Sequence, residues 1–316
     1  MVLAPHGAVG AVDVRGAAPG TRETDLLDPT NLVDKVHAIV LSGGSAFGLD
    51  AASGVMRWLD ERQIGLQTGH GCVPIVPAAV LFDLPMVREG DNATLRPNAD
   101  SGYAACEDAV AQKPLEASPL RPVVSPLSGN VGAGAGAVVG KLFGLSRAMK
   151  GGLGHALVKV GPWQVAAMVA CNAVGDVMDP LTHEILAGAR TEEGTQLVGT
   201  QQALLAGQAS SLPLAGTNTT IGVVATNATL NKAQAKRMAM SSHDGLARSI
   251  CPAHTTLDGD TLFAMATCAE ASAPDMMLLT VMAAEATAQA TLNAILHAQG
   301  VHTLKGYLPS ATEMRR

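Results

Sequence analysis

Residues 215–227 read AGTNTTIGVVATN, where two hydroxyls, Thr219 and Thr220, stand between Asn218 and the apolar run 221–225. A threonine hydroxyl is a weak nucleophile until a base takes its proton. A free α-amine on the same residue is such a base, with an unperturbed pKa of roughly 7.7–8.0. A chain makes that amine by cutting itself. The hydroxyl attacks the preceding carbonyl, an N→O shift gives an ester, and water releases it. Asn218–Thr219 is the candidate bond. Such a bond needs a mobile lead-in, and residues 181–218, rich in Thr, Glu, Gln, Ser and Gly without a sustained period, are expected to supply it. The same residues also read as an ordinary turn into a strand.

The second stretch with chemistry is HTTLDGDTLFAMAT at 254–267, where Asp258 and Asp260 flank Gly259 ahead of an apolar run. Asp-Gly-Asp is good turn chemistry. A metal loop is a second reading, although no further acid follows at EF-hand spacing. The third is a carboxylate pair: two residues apart in extended backbone, both side chains lie on one face and can orient an amine or a hydroxyl. No histidine pair has metal-ligand spacing, so no metal is expected. His254 is expected to satisfy a backbone group near its turn. The glycine-rich block 129–154 contains GAVVGKLF, in which three residues separate Gly136 from Gly140 and Leu142 follows Lys141. A phosphate-binding loop needs four residues and then a Ser or Thr, so no nucleotide is expected.

Composition bounds these readings. The chain has 316 residues, 47% hydrophobic and 15% charged, which excludes a disordered chain. A net charge of −6 gives no basic footprint for nucleic acid. Aromatics are only 3%, so Ala, Val, Leu and Met must build the core, with glycines allowing close backbone approach. Five cysteines without a CxxC pair read as buried thiols of a cytoplasmic protein rather than a disulfide framework. No apolar run is long enough for a membrane span, and the N-terminus lacks a signal-peptide pattern.

Elements must position the candidates. Strands are expected at 36–41, 165–173, 220–226 and 261–267, with a turn at 175–180. Helices are expected at 49–61, 230–249 and 275–299, plus a short one at 201–205. Asp275 is an expected N-cap and Gly300 an expected C-terminal stop. The β–α–β–α alternation predicts a layered α/β domain.

Seven blocks, in order, resemble the self-processing L-aminopeptidase/D-esterase (DmpA-type) hydrolases, whose relatives include β-aminopeptidases and the 6-aminohexanoate-oligomer hydrolase. The blocks are LSGGSAFGLDAASGV (41–55), VPIVPAAVLFDL (73–84), GNVGAGAGAVVGK (129–141), AMKGGLG (148–154), NAVGDVMDP (172–180), NTTIGVVATN (218–227) and HTTLDGDTLFA (254–264). The resemblance implies an α/β/β/α sandwich like that of N-terminal-nucleophile hydrolases, one domain over 1–316. It implies cleavage into 1–218 and 219–316, and a homotetramer. Thr219 is then the nucleophile and Asn172 an oxyanion donor. Lys141 and the pair Asp258 and Asp260 match the oligomer-hydrolase branch; the aminopeptidase branch carries Ser and Glu at the acidic pair. Relatives place a further strand-forming segment ahead of the block that here follows Met1. The implied activity is hydrolysis of a small peptide or amide without cofactor. The rivals are an acyltransferase of the ornithine acetyltransferase type and a non-enzymatic assembly protein on the same scaffold.

Overall fold

The computed structural model describes residues 1–86, 95–111, 127–208 and 217–314. Eight strands share one sheet: β1 Val2–Val14, β2 Gly20–Arg22, β3 Lys35–Ser42, β4 Ala78–Val80, β5 Gly152–Val160, β6 Trp163–Asn172, β7 Thr219–Ala228 and β8 Thr261–Glu270. Their spatial order is β2-β4-β3-β1-β8-β7-β6-β5. Neighbours run antiparallel except β3 with β4 and β7 with β8, which are parallel. The helices are α1 Ala51–Asp60, α2 Ala99–Ala111, α3 Lys232–Ser249 and α4 Met276–Leu296.

The sheet folds on itself at β1. The N-terminal end of that strand pairs with β3 (Val2 opposite Ile39), and its C-terminal half pairs with β8 (Val9 opposite Ala266). Between Leu3 and Ala8 the register shifts, and such an irregularity bends a strand. Ile39, Leu41, Ala79 and Leu81 from one half therefore meet Ile221, Val223, Phe263 and Met265 from the other in a shared core, although those strands are not all neighbours in the sheet. A second core lies under α3 and α4, where Met238 and Leu279 cover Val169, Val224 and Leu262. A third lies under α1, where Val55 and Trp58 cover Ala38 and Val40. Together these make the α/β/β/α layering. Alternation along β8 shows its origin: Leu262, Ala264 and Ala266 enter the helix-covered core, Phe263 and Met265 the central one. Burial on both faces is why the central strands read as unbroken apolar runs.

The glycine-rich block is folded tightly between these layers. A Cβ on Gly154 would sit 2.1 Å from the Ala290 carbonyl oxygen, so α4 lies on β5 at backbone contact. Gly140 has φ +68° and the Gly188 backbone within 2.1 Å of where a Cβ would be, a position open to glycine alone. Lys150 ties the block down. Its buried Nζ donates to the carbonyls of Gly134, Ala137 and Gly151, each at 2.8 Å.

Several details differ from the expectations. Residues 176–178 form a short strand (Asp176–Met178) rather than only a turn, paired with Ile185–Ala187 and Ile250–Cys251. Within the lead-in the short helix expected at 201–205 is present, over Thr200–Leu205. Asp176 fastens this region, accepting from the Ala189 N–H at 2.9 Å, the Thr200 N–H at 2.5 Å and the Thr200 hydroxyl at 2.6 Å. Residues 209–216 of the lead-in lie outside the described residues. Asp275 caps α4 by accepting from the Leu278 N–H, but the helix ends at Leu296, before Gly300. The Asn130 side chain captures both backbone groups of Gln299 and draws the chain off the helix axis. Of the five thiols, only Cys106 and Cys171 are buried and Cys268 is exposed.

Replacing Lys150 by Met would strip three carbonyls of a shared donor; those of Gly134 and Ala137 keep a backbone N–H partner, so the full cost of about 1–3 kcal/mol for an unpaired buried group applies only where no other donor reaches. Lys150→Met is expected to unfold at a clearly lower temperature than the wild type in a calorimetric scan; an unchanged Tm would show that the cradle is not needed.

Candidate active site

Three strand ends converge at one edge of the sheet. Antiparallel pairing sets Asn172, the last residue of β6, opposite Thr219, the first of β7. Parallel pairing of β7 with β8 sets Ile221 beside Thr261, and an isolated bridge joins Asn218 to Asp258. The glycine-rich block adds Lys141. All five sequence-predicted residues thus come together, and each is buried.

The peptide unit at Asn218–Thr219 is held from both sides. The Asn218 carbonyl oxygen accepts the Gly259 N–H at 2.9 Å and the Thr219 hydroxyl at 2.5 Å. One residue earlier, the Thr217 carbonyl accepts from Lys141 Nζ at 3.0 Å. One residue later, the Thr220 N–H donates to Asp260 Oδ1 at 2.7 Å. A Cβ on Gly259 would lie 2.5 Å from the Ala18 carbonyl oxygen and 2.9 Å from Thr219 Oγ, so the glycine lets its own N–H reach the Asn218 carbonyl.

Lys141 and Asn172 are linked directly. Lys141 Nζ donates to the Asn172 side-chain oxygen at 2.9 Å and to its backbone carbonyl at 3.0 Å. The side-chain oxygen also accepts the Val138 N–H at 3.0 Å, and the amide nitrogen donates to the Phe82 carbonyl at 3.3 Å. Burial pushes the Lys141 ammonium down to about 7, against the opposing pull of Asp258 and other anionic partners. Asp258 is pushed up to about 6, first by burial and then by the neighbouring Asp260. Two hydrogen bonds from Thr255, its N–H at 2.9 Å and its hydroxyl at 2.6 Å, oppose that rise. A base and an acid that exchange protons near neutrality are what proton-transfer catalysis needs.

Three contributors escaped the sequence reading. Gly259 was treated as turn geometry, but its backbone donor faces the candidate bond. His254 meets a side chain rather than only a backbone group: its Nδ1 lies 2.8 Å from Asp260 Oδ2. Asp83 is the third, its carboxyl raised by burial while accepting the Gly44 N–H at 2.6 Å. Asp83 lines a cavity of about 530 Å³ with Ser42, Val55, Arg96, Ala133 and Met168. None of the five predicted residues lines that cavity; Phe82, the neighbour of Asp83, accepts from Asn172. Among the described residues no group of three or more His, Cys, Asp or Glu could hold a metal ion, and no helix is long and apolar enough to cross a membrane.

The family and relatives of the chain make it a hydrolase of peptide or amide bonds. The chain belongs to peptidase family S58, whose model matches residues 2–308. It is 45% identical to an uncharacterised aminopeptidase of Mycobacterium leprae over 98% of this chain and 86% of that protein. It is 33% identical to a 6-aminohexanoate-oligomer endohydrolase of an Agromyces species, over 83% of this chain and 67% of that protein. Among solved structures it is similar to the L-aminopeptidase D-Ala-esterase/amidase of Ochrobactrum anthropi, described as a variant of the Ntn hydrolase fold. The TM-score is 0.61 at 18% identity, covering 98% of this chain and 80% of that one.

The two shifted groups each contribute to the pH dependence of stability. The native Asp258 carboxyl keeps its proton to about 6, against 3.8 ordinarily, so the folded state binds more protons in that window and stability falls as pH rises through it. The native Lys141 amine loses its proton near 7, against 10.5 ordinarily, so stability rises as pH rises from about 7 towards 10.5. Asp258→Asn is expected to flatten the acid slope of Tm against pH, and Lys141→Met the alkaline one. Parallel curves for wild type and variants would refute these assignments.

Proposed function

We propose that the protein matures by cutting its own chain between Asn218 and Thr219, and that the freed Thr219 then hydrolyses small peptides or linear amides. One observation carries this reading: the Asn218 carbonyl sits between the Thr219 hydroxyl and the Gly259 N–H. In the first step a bond forms from Thr219 Oγ to the Asn218 carbonyl carbon, with the oxyanion facing Gly259 N–H. The C–N bond then breaks as the nitrogen of Thr219 takes a proton, leaving an ester. Water hydrolyses that ester to a carboxylate on Asn218 and a free hydroxyl and amine on Thr219. The same hydroxyl next attacks a substrate carbonyl, with its own amine as base.

In this reading Asp258 and Asp260 orient the Thr219 amine and hydroxyl. Lys141 supplies positive charge and a proton route. Asn172 contributes to stabilising the oxyanion by turning its amide from the Phe82 carbonyl. The Asp-Gly-Asp pair and the likeness to an oligomer endohydrolase support linear amides as the substrate class. Unpaired cysteines support a cytoplasmic setting. Exposed Met277 and Val281, one turn apart on α4, support assembly into the homotetramer.

Intact-mass analysis and N-terminal sequencing test the cleavage. Wild type is expected to give a new terminus reading Thr-Thr-Ile-Gly, while Thr219→Ala stays a single inactive chain of 32.1 kDa. Turnover by a chain that remains uncut would sink the proposal. Gly259→Ala displaces the donor facing the Asn218 carbonyl and is expected to slow self-cleavage by about 10²-fold or more, the effect of one lost oxyanion donor; wild-type cleavage kinetics would remove Gly259 from the mechanism.

A further inference from the structure

A chain of polar groups runs from Asp260 back behind the site, and its members beyond Asp260 take no part in the chemistry above. Asp260 has two jobs on its two oxygens. Oδ1 accepts the Thr220 N–H at 2.7 Å, while Oδ2 accepts both from the His254 ring at 2.8 Å and from the His254 backbone N–H at 3.3 Å. The pincer requires His254 in the left-handed region, at φ +55°, where residues with a side chain are uncommon. Held conformations of that kind gather at functional sites.

The ring of His254 is fixed from its other side. His243, fully buried on α3, meets it edge to face with ring centroids 4.8 Å apart. His243 Nε2 in turn lies 3.0 Å from the Asp13 carbonyl oxygen. Asp13 is clamped by Lys236 and Arg15, both at 3.0 Å. Burial holds the His243 ring down to about 4, so it stands neutral against His254 at ordinary pH. The groups facing the pair are thus Asp260 on one side, and Asp13, Arg15 and Lys236 behind His243. This bracing has a clear consequence: a free carboxylate rotates about its side-chain torsions, and Asp260 cannot.

We infer that His254, braced by His243, is a positioning residue that locks the Asp260 carboxylate against the backbone of Thr219–Thr220, setting the angle at which the Thr219 hydroxyl meets the Asn218 carbonyl. The inference rests on Thr219 as the nucleophile. Its effect is geometric: misplacing a reacting group by about 1 Å costs on the order of 10²-fold in rate.

The test uses the full chain and its own Asn218–Thr219 bond as substrate, following the appearance of the new threonine terminus with time. His254→Leu, without a donor, is expected to self-cleave about 10- to 100-fold more slowly than wild type. His254→Asn places an amide N–H near the position of Nδ1 and is expected to recover most of the rate. His254→Gln, whose amide lies one bond further out, is expected to stay slow. Because Asn and Gln are both polar and both donors, the contrast between them separates positioning from mere folding, even if the Leu variant does not fold. Equal rates for Asn and Gln variants, or a wild-type rate for Leu, would overturn the inference. Thr219→Ala is run alongside. If it is inert while His254→Leu matches wild type, only the role of His254 fails; if it cleaves, the nucleophile assignment fails with it.

Discussion

The site depends on parallel pairing between β7 and β8. Parallel neighbours begin at the same edge, so the residues entering β7 and those entering β8 are brought side by side: Asn218 bridges Asp258, and Ile221 lies beside Thr261. Antiparallel β6 ends at that same edge and delivers Asn172 opposite Thr219. The ladder sets Asn172 and Thr219 together, while the turn before β8 and the glycine-rich block bring in Asp258, Asp260 and Lys141. A slip of one residue would turn Asp260 and Thr219 to opposite faces. Burial of both faces forbids that slip, since Phe263 and Met265 must enter the central core while Leu262 and Ala264 enter the helix-covered one.

Gathering charge in such a place is costly, and the costs fall on the groups that titrate. At an effective dielectric constant of about 20, opposite unit charges 4 Å apart attract by about 4 kcal/mol. That attraction does not restore ordinary ionisation here. Lys141 is lowered and Asp258 raised, both towards the neutral form, so desolvation outweighs mutual attraction for each. Hydrogen bonds hold the cluster together: the Lys141 ammonium donates to three oxygens, and Asp258 accepts twice from Thr255. A neutral Lys141 amine keeps only two N–H donors, so each proton lost from it releases one of those three acceptors.

Much of this was legible in the sequence. The apolar runs that became β3, β6, β7 and β8 read as buried strands because side chains on both faces are apolar, and α3 and α4 had clear boundaries at residues near 230 and 275. For Asp258 and Asp260 a carboxylate pair was one of three readings beside a turn and a metal loop, open because a separation of two in extended backbone puts both on one face. What stayed hidden has physical reasons. The folding of one sheet into two layers turns on an irregularity between Leu3 and Ala8, which no hydrophobic pattern marks. The Gly259 donor is a backbone group, carried alike by nearly every residue, so no residue type announces it. Lys141 stood out only through family resemblance, since its acceptors lie 31 and 76 residues away in the chain. His254 was read as a turn residue because six residues of separation seldom mean contact; a left-handed backbone brings the ring round.

One site can serve two carbonyls because the demands differ only in the base. During self-cleavage the nitrogen of Thr219 is an amide whose lone pair is delocalised into the carbonyl, so it is a poor base, and on the proposed reading the hydroxyl proton leaves through a neighbouring side chain or a water. The depressed Lys141 and elevated Asp258 are the groups in this cluster whose protonation is adjustable near neutrality. On the proposed reading, once the bond is cut the nitrogen is an amine adjoining the same hydroxyl and takes over as base. The Gly259 N–H donates to the Asn218 carbonyl oxygen, and on the same reading it serves the oxygen of a substrate carbonyl in later turnovers. On the proposed reading, the buried titratable pair is thus needed most for the one turnover that makes the enzyme, and the strand pairing that holds it also fixes the geometry for every later one.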